Sequence, residues 1–335
     1  MIRQVVRLIK PGLFLPCFVV EPPTTDDILV RPRYLSICAA DLRYFHGNRP
    51  PEVLAKVLPM ALCHEAVGEV VRDPKGEIAP GTYCVLLPGG MESLDASNIY
   101  ENGAFFRSSN ADGFCQELLS MKREELLPIF GKPEWAYVLT EPLSVCSQAI
   151  RRIASLYPDR NGMRFGIWGD GPMAYLMALA LKNLKQDAFV TVFGKHEEKL
   201  INFSFVDKCC NEMNINDNIK IDIALECVGG ENVHEVIDSA FQKLTPCGIL
   251  VLMGVSEGHI LVKTRTILEK GITIIGINRS IKKDFETAIN MIDSTEIKNS
   301  LRKIVSKFEY ATNASDFTKI FSCRNEFKQV ITVNL

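Results

Sequence analysis

The chain has 335 residues, enough for two domains each with its own core. A hydrophobic content of 47% and a charged fraction of 23% are ordinary for a soluble globular protein, and 38 Lys and Arg against 40 Asp and Glu leave a net charge of −2. That balance offers no cationic excess for nucleic acid or an anionic membrane, and no apolar run approaches the roughly 18 residues needed to span a bilayer.

The first apolar stretch, Leu13 to Val20, follows early cations but is preceded by Lys10-Pro11-Gly12 and lacks a small-residue cleavage site, so it reads as a strand and not as an export signal. Eleven cysteines are scattered singly apart from Cys209-Cys210, with no compact disulfide framework. They read as reduced thiols, and the expected location is the cytoplasm.

The first ~145 residues read as short strands and turns, an all-β region. Three segments in it carry chemistry: Ser36-Ile37-Cys38-Ala39-Ala40-Asp41, Cys63-His64-Glu65-Ala66-Val67-Gly68-Glu69-Val70, and Leu139-Thr140-Glu141-Pro142-Leu143. One thiolate, one imidazole and one or two carboxylates suit a catalytic zinc with an open position. Each alone has a plainer reading. A lone Cys is usually a small hydrophobe, a His-Glu pair a satisfied structural pair, and Glu141 a solvated carboxylate at a helix entry. Together, upstream of the segment described next, they point to a metal.

That segment is Phe165-Gly166-Ile167-Trp168-Gly169-Asp170-Gly171-Pro172-Met173-Ala174, an apolar strand entering Gly-x-Gly-x-x-Ala. Gly169 suits a tight turn, Gly171 a close backbone approach to a pyrophosphate, and Ala174 close helix–sheet packing. Pro172 suits a first helical turn, and the helix N-terminus directs unpaired N–H groups at an anion. Met173 completes this expected dinucleotide contact. The next strand, 188–193, ends in Gly194-Lys195-His196, about 25 residues after Gly169. NAD-preferring folds place Asp or Glu at this strand end to hold the ribose 2′-hydroxyl. Gly194 removes that acid and Lys195 offers a cation, so the expected cofactor is NADPH. The alternative makes Lys195 a solvated lysine, with Glu197 or Glu198 supplying the acid.

Further on the elements alternate: strand 164–168, helix 172–185, strand 188–193, strand 221–228, helix 231–243, strand 248–253 and strand 272–277. This is the order of a doubly wound parallel sheet, and near-continuous apolar strands such as Gly248 to Met253 fit a sheet covered on both faces. The fold class is therefore α/β.

The motifs Cys38-x-x-Asp41, His64-Glu65-x-x-Gly68-x-Val70, Asp112-Gly113-Phe114, Glu141-Pro142-Leu143 and Gly169-x-Gly171-x-x-Ala174 make the chain resemble the zinc-dependent medium-chain alcohol dehydrogenase superfamily along nearly its whole length. Within it, Leu35 to Asp41, Phe105-Phe106-Arg107-Ser108-Ser109, Phe165 to Gly171 and Leu225-Glu226-Cys227-Val228-Gly229-Gly230 are most similar to the ribulose-5-phosphate reductases that feed CDP-ribitol synthesis for teichoic acid or capsule polymers. The resemblance implies a GroES-like β-barrel catalytic domain at 1–149 and 280–335, and an NADP-binding Rossmann domain at 150–279. It implies one catalytic zinc on Cys38 and His64, with Glu141 in the place that many relatives give a third Cys and Glu65 near the metal as ligand or exchange partner. Which carboxylate ligates stays open.

The resemblance also implies a homodimer, with the apolar 272–277 strand as candidate surface, and a cytidylyltransferase as functional partner. Two departures stand out. Relatives often carry four closely spaced cysteines for a structural zinc, but no cysteine lies between Pro88 and Ser109, so none is expected. Ala40 replaces a proton-relaying hydroxyl, leaving a zinc-bound water, Glu65 or His46 as substitutes. The expected reaction is reduction of D-ribulose 5-phosphate to D-ribitol 5-phosphate, with metal polarising the carbonyl and NADPH giving hydride. Arg49 and Arg107 are candidates for the substrate phosphate, and Arg279 for phosphate or cofactor. The alternatives are an NAD-linked polyol dehydrogenase with an unphosphorylated substrate, or a dinucleotide-binding protein without catalysis.

Overall fold

The computed structural model describes residues 2–20, 26–89, 98–101, 104–131, 134–157, 162–211, 218–231, 233–323 and 327–335. The chain divides into two compact units, one of Met1–Glu141 with Ile281–Leu335, the other of Pro142–Ser280. In chain order the first unit opens with β1 (Ile2–Lys10), β2 (Leu13–Val20), β3 (Ile28–Ser36), α1 (Ala39–Phe45), α2 (Pro51–Val57), β4 (Glu65–Arg72), β5 (Tyr83–Leu86), β6 (Leu119–Met121) and β7 (Leu126–Pro128). Then α3 (Thr140–Leu156) begins. The second unit continues with β8 (Arg164–Trp168), α4 (Pro172–Leu184), β9 (Phe189–Gly194), α5 (Glu197–Leu200), β10 (Lys208–Asn211), β11 (Ile221–Glu226), α6 (Val233–Lys243), β12 (Leu244–Leu252), α7 (Thr264–Lys270) and β13 (Thr273–Gly276). The chain returns to the first unit with α8 (Lys282–Ile292), α9 (Thr295–Arg302), β14 (Val305–Ala311), α10 (Ala314–Ser322) and β15 (Lys328–Val333).

In the first unit, β1 and β2 form an antiparallel pair, and a second sheet runs β14-β15-β3-β4-β5-β7 with β6 on β3. Its core holds a ring cluster: Phe14 lies 5.7 Å from Phe45, 6.1 Å from Phe317 and 5.0 Å from Phe321. That cluster joins the return segment to the N-terminal strands, so residues some 300 positions apart share one core. The region expected to be all-β also contains α1 and α2. Both are seven residues long, too short for a helical period to be visible, and each starts at a local device: Asp41 at the third position of α1, Pro51 at the first of α2.

In the second unit the sheet order is β10-β9-β8-β11-β12-β13, and each neighbouring pair is parallel. Numbered within the sheet this is 3-2-1-4-5-6, with the order reversing between β8 and β11, the doubly wound arrangement of dinucleotide folds. Strands β8, β9 and β11 are buried along nearly their whole length, as their unbroken apolar runs require. Strand β12 starts at Leu244, before the sequence-predicted 248. Thr245, Pro246 and Cys247 lie before the apolar run and read as loop residues, yet Leu244 already pairs with Ile221 across a register shift.

Two features position the metal-competent loop. Backbone N–H of Gly113 donates to Ala61 O at 2.7 Å, Phe114 N–H to Cys63 O at 2.7 Å, and Ala61 N–H to Asp112 Oδ1 at 2.8 Å. The Asp112-Gly113-Phe114 motif is thus a clamp on the turn 61–64. A Cβ on Gly113 would stand 2.3 Å from Leu62 O and 2.4 Å from Cys63 O, so only glycine lets the two backbones meet. Gly113→Ala is expected to cost about 2–4 kcal/mol in urea unfolding, while Gly258→Ala, in open space, leaves stability unchanged.

At the N-terminal ends of β8 and β11, Arg164 Nε and Nη2 donate to Asp222 at 3.0 and 2.7 Å, and Thr245 Oγ1 adds a third bond at 3.0 Å. Burial alone would raise the pKa of Asp222; the bonds from Arg164 and Thr245 outweigh it and hold the carboxyl below its usual value. A lowered folded pKa stabilises above the unfolded value and is lost as pH falls through the folded one. Asp222→Asn should therefore cost about 1 kcal/mol in unfolding at neutral pH, the pair being partly exposed. The difference from the parent should shrink and vanish as pH falls below the ordinary carboxylate value and through the lowered one of the folded state.

Candidate metal and dinucleotide sites

Three candidate ligands converge in the first unit. Cys38 precedes α1, His64 ends the clamped turn, and Glu65 opens β4. A sulfur, an imidazole nitrogen and a carboxylate oxygen of these residues lie within 4.8 Å of one another. Among the described residues this is the one such group of three. His64 is buried and Glu65 has no exposed surface. The Oε2 of Glu65 has no hydrogen-bond partner, an orphaned acceptor facing a site that needs a donor or a cation.

Behind His64 stands Asp41, fully buried, whose Oδ1 lies 3.4 Å from His64 Nδ1. The same carboxylate accepts the N–H of Cys38 at 2.9 Å, the N–H of Cys63 at 3.1 Å and the hydroxyl of Ser108 at 2.6 Å. Burial would raise its pKa, but His64, Ser108 and the Cys38 N–H hold it below the usual carboxylate value. With Nδ1 turned to Asp41, Nε2 is the nitrogen left for a metal. Burial would lower the pKa of His64; Asp41 and Cys38 raise it well above normal, so the cluster draws positive charge, as a proton or as a metal ion.

Lys328, on β15, bonds Glu65 Oε1 and the carbonyl of Ile37. It is buried, which would lower its pKa, yet Glu65 and Cys38 beside it raise it. Glu141, at the start of α3, is buried and is not part of the tight group. Burial and the charge of Glu65 push it up to about 7, against His64 and Lys328, which pull it down. The solvated-carboxylate reading of Glu141 is thereby corrected: the residue is buried within the electrostatic reach of His64, Glu65 and Lys328. In the sequence Asp41 belongs to the Cys38-x-x-Asp41 pattern and Ser108 flanks Arg107, and neither position by itself shows that the two side chains meet. Lys328 had no sequence signal, because it reaches Glu65 across 263 positions.

The donor set of soft sulfur, imidazole and carboxylate fits zinc. The expected absence of a structural zinc concerns a stretch whose residues 90–97 and 102–103 lie outside the described residues. Ala40 is half-buried on α1, and His46 is exposed at its end. Arg49 stacks its guanidinium 4.8 Å from the Tyr44 ring centre. Arg107 lies 5.2 and 5.4 Å from the rings of Phe105 and Phe114 and donates to Asp112 O at 3.3 Å.

In the second unit, Gly169 has φ +130°, and its N–H donates to Phe193 O at 2.8 Å. A Cβ there would lie 3.3 Å from Cys227 O and 3.4 Å from Ala174 Cβ, the close turn that glycine permits. Gly171 caps α4, and a Cβ on it would meet nothing within 4 Å, so its face is open to a ligand. Pro172 occupies the first turn, Ala174 is fully buried, and Met173 takes a sulfur contact from Cys146 at 3.8 Å. Gly194 is buried at the end of β9, whereas Lys195 is exposed with Nζ 3.5 Å from Glu235 Oε2. Glu197 accepts from Asn211 at 3.2 Å. Arg279 follows β13 in the left-handed region at φ +62° and is half-buried. Among the described residues no helix is long and apolar enough to cross a membrane.

The alcohol dehydrogenase GroES-like domain matches residues 24–130. Ribulose-5-phosphate reductase 2 of Staphylococcus aureus is 41% identical over 296 residues, 87% of this chain and 86% of the relative. Ribulose-5-phosphate reductase of Streptococcus pneumoniae is 33% identical over 96% of this chain and 94% of its own. The crystal structure of S. aureus TarJ in complex with NADPH superposes with a TM-score of 0.87 at 33% identity, covering both chains completely. By this likeness over nearly its whole length, the chain belongs to the ribulose-5-phosphate reductase family of medium-chain alcohol dehydrogenases.

Proposed function

We propose that the protein reduces D-ribulose 5-phosphate to D-ribitol 5-phosphate with NADPH, supplying CDP-ribitol for teichoic acid or capsule polymers. The observation that carries the reaction type is the group of half-buried Cys38 with buried His64 and Glu65, and its orphaned Glu65 oxygen. The substrate and cofactor rest on the relatives, which are named for ribulose 5-phosphate reduction and for an NADPH complex. When bound, zinc supplies Lewis-acid polarisation of a ketone and NADPH supplies the hydride. The balance is simple: hydride forms the new C–H bond, the carbonyl π pair moves to oxygen, and that oxygen takes one proton.

The chain's own residues prepare this. Cys38 and His64 hold the metal, and Asp41 keeps the His64 ring oriented with the right nitrogen outward. Lys328 engages one oxygen of Glu65, leaving Oε2 as the ligand atom. Glu141 is the second carboxylate of the same buried surroundings, the remaining candidate for the metal or its water. Met1–Glu141 with the return segment acts as the catalytic domain, and the doubly wound unit holds the dinucleotide at Gly169, Gly171, Pro172 and Met173, with Lys195 toward the 2′-phosphate and Arg279 nearby. Arg49 and Arg107 are the proposed phosphate contacts, their guanidiniums kept in place by aromatic faces. One catalytic zinc, a cytoplasmic homodimer joined along β13, and a cytidylyltransferase as the consumer of the product complete the reading.

Initial rates with zinc-loaded protein test it: ribulose 5-phosphate with NADPH should turn over at least about tenfold better than free ribulose or than NADH as donor. Turnover of unphosphorylated ketoses or polyols with NAD(H), but not of the phosphate ester, would replace this reading with a polyol dehydrogenase. Asp41→Ala is expected to weaken zinc retention about 10–100-fold in chelator competition, with a parallel loss of rate.

A further inference from the structure

Asp170 lies between the two glycines of the dinucleotide turn, and the function above has no use for its side chain. Its Oδ2 accepts the backbone N–H of Lys195 at 2.8 Å and that of His196 at 2.9 Å, and lies 2.9 Å from His196 Nδ1. One carboxylate oxygen gathers both residues that follow β9. Burial would raise its pKa, but the N–H and ring of His196 and the N–H of Lys195 hold it below the usual value, so Asp170 is ionised at neutral pH.

The same carboxylate closes the space above Gly194. A Cβ built on Gly194 would lie 2.9 Å from Asp170 Cβ, 3.1 Å from Asp170 Oδ2 and 2.8 Å from Leu200 Cδ2. The end of the Leu200 side chain is flexible and can yield; Asp170 is held by the backbone N–H groups of Lys195 and His196 and by the His196 ring beside it. Position 194 is where an NAD-preferring fold carries its ribose-binding acid. The Cβ of an acid placed there would be blocked by Asp170, and its carboxylate would share the surroundings of the Asp170 charge, where two carboxylates do not both ionise readily.

We propose that Asp170 is a specificity-determining positioning residue: it bars a ribose-binding carboxylate from position 194 and fixes the Lys195–His196 segment as the face that receives a ribose 2′-phosphate. Cofactor preference is therefore set by the pair Asp170 and Gly194 and not by Gly194 alone. The exposed pairing of Lys195 with Glu235 is weak and yields to a phosphate. The inference rests on the NADPH reading above but not on the sugar phosphate.

Calorimetric titration of the full-length protein with NADPH and NADH, without sugar phosphate, tests it. Asp170→Ala should weaken NADPH about tenfold, the worth of bonds to one charged group, and change NADH less than about threefold. Asp170→Asn, whose amide oxygen still accepts the two backbone N–H groups, should stay within about threefold of the parent for both. Gly194→Asp alone should weaken both dinucleotides, and adding Asp170→Ala to it should raise NADH affinity at least about tenfold over the single variant, a non-additive pair. Gly194→Asp alone gaining NADH with an unchanged Tm would overturn the proposal. So would an Asp170→Ala variant with a lower Tm and an unchanged NADPH-to-NADH ratio, the mark of a purely structural residue. Absence of ribulose 5-phosphate turnover with intact NADPH binding would sink the substrate assignment alone; a parent protein that binds neither dinucleotide overturns both.

Discussion

The carboxylate of Asp41 holds the metal-competent cluster together. It ties the start of α1, the turn before β4 and the loop at Ser108 to one buried point beside His64. A negative charge at zero exposure is costly unless it is hydrogen-bonded, and here two backbone N–H groups and the Ser108 hydroxyl bond it, with the His64 ring 3.4 Å away. With Nδ1 of His64 facing Asp41, Nε2 is the nitrogen left for the cluster.

Charge balance in the same place explains why the cluster seeks a cation. Three buried carboxylates, Asp41, Glu65 and Glu141, and the thiol of Cys38 surround one buried lysine and one imidazole. Lys328 meets Glu65 on one oxygen only. The raised pKa of His64, driven by Asp41 and Cys38 against burial, expresses this deficit; that of Glu141 comes first from burial and then from the charge of Glu65. A divalent ion on Cys38, His64 and Glu65 would answer the same need and deprotonate its ligands in doing so. In the second unit the physics is different. There the backbone itself is the device, with Gly169 drawn against Cys227 and Ala174, Gly171 left open, and Asp170 holding the loop after β9.

The dinucleotide turn was legible because its constraints are local. Gly169, Gly171, Pro172 and Ala174 are spaced by the geometry of one strand–turn–helix, and the unbroken apolar runs of β8 and β9 follow from burial on both faces. The longer strand and helix spans in the second unit were legible for the same reason, with errors at their ends, whereas the short α5, β10 and α7 carry too few residues to show a period. Strand β12 begins four residues earlier than its apolar run suggests, since pairing with β11 recruits residues that propensity assigns to a loop. In the first unit, α1 and α2 were missed inside an all-β reading because seven-residue helices leave no period to detect.

The sequence by itself determined the α/β class, the doubly wound segment, the candidate ligands Cys38, His64, Glu65 and Glu141, and the absence of an acid at position 194. These depend on residue type, short spacing and local periodicity. Only the tertiary structure decided that Cys38, His64 and Glu65 meet while Glu141 stands outside the tight group, that Asp41 backs His64, that Lys328 occupies one oxygen of Glu65, and that Asp170 fills the space at Gly194. Each of these is a contact between segments separated by tens to hundreds of residues or by a sheet edge. No local preference encodes such a meeting, since it follows from which strands pair and which core the return segment joins.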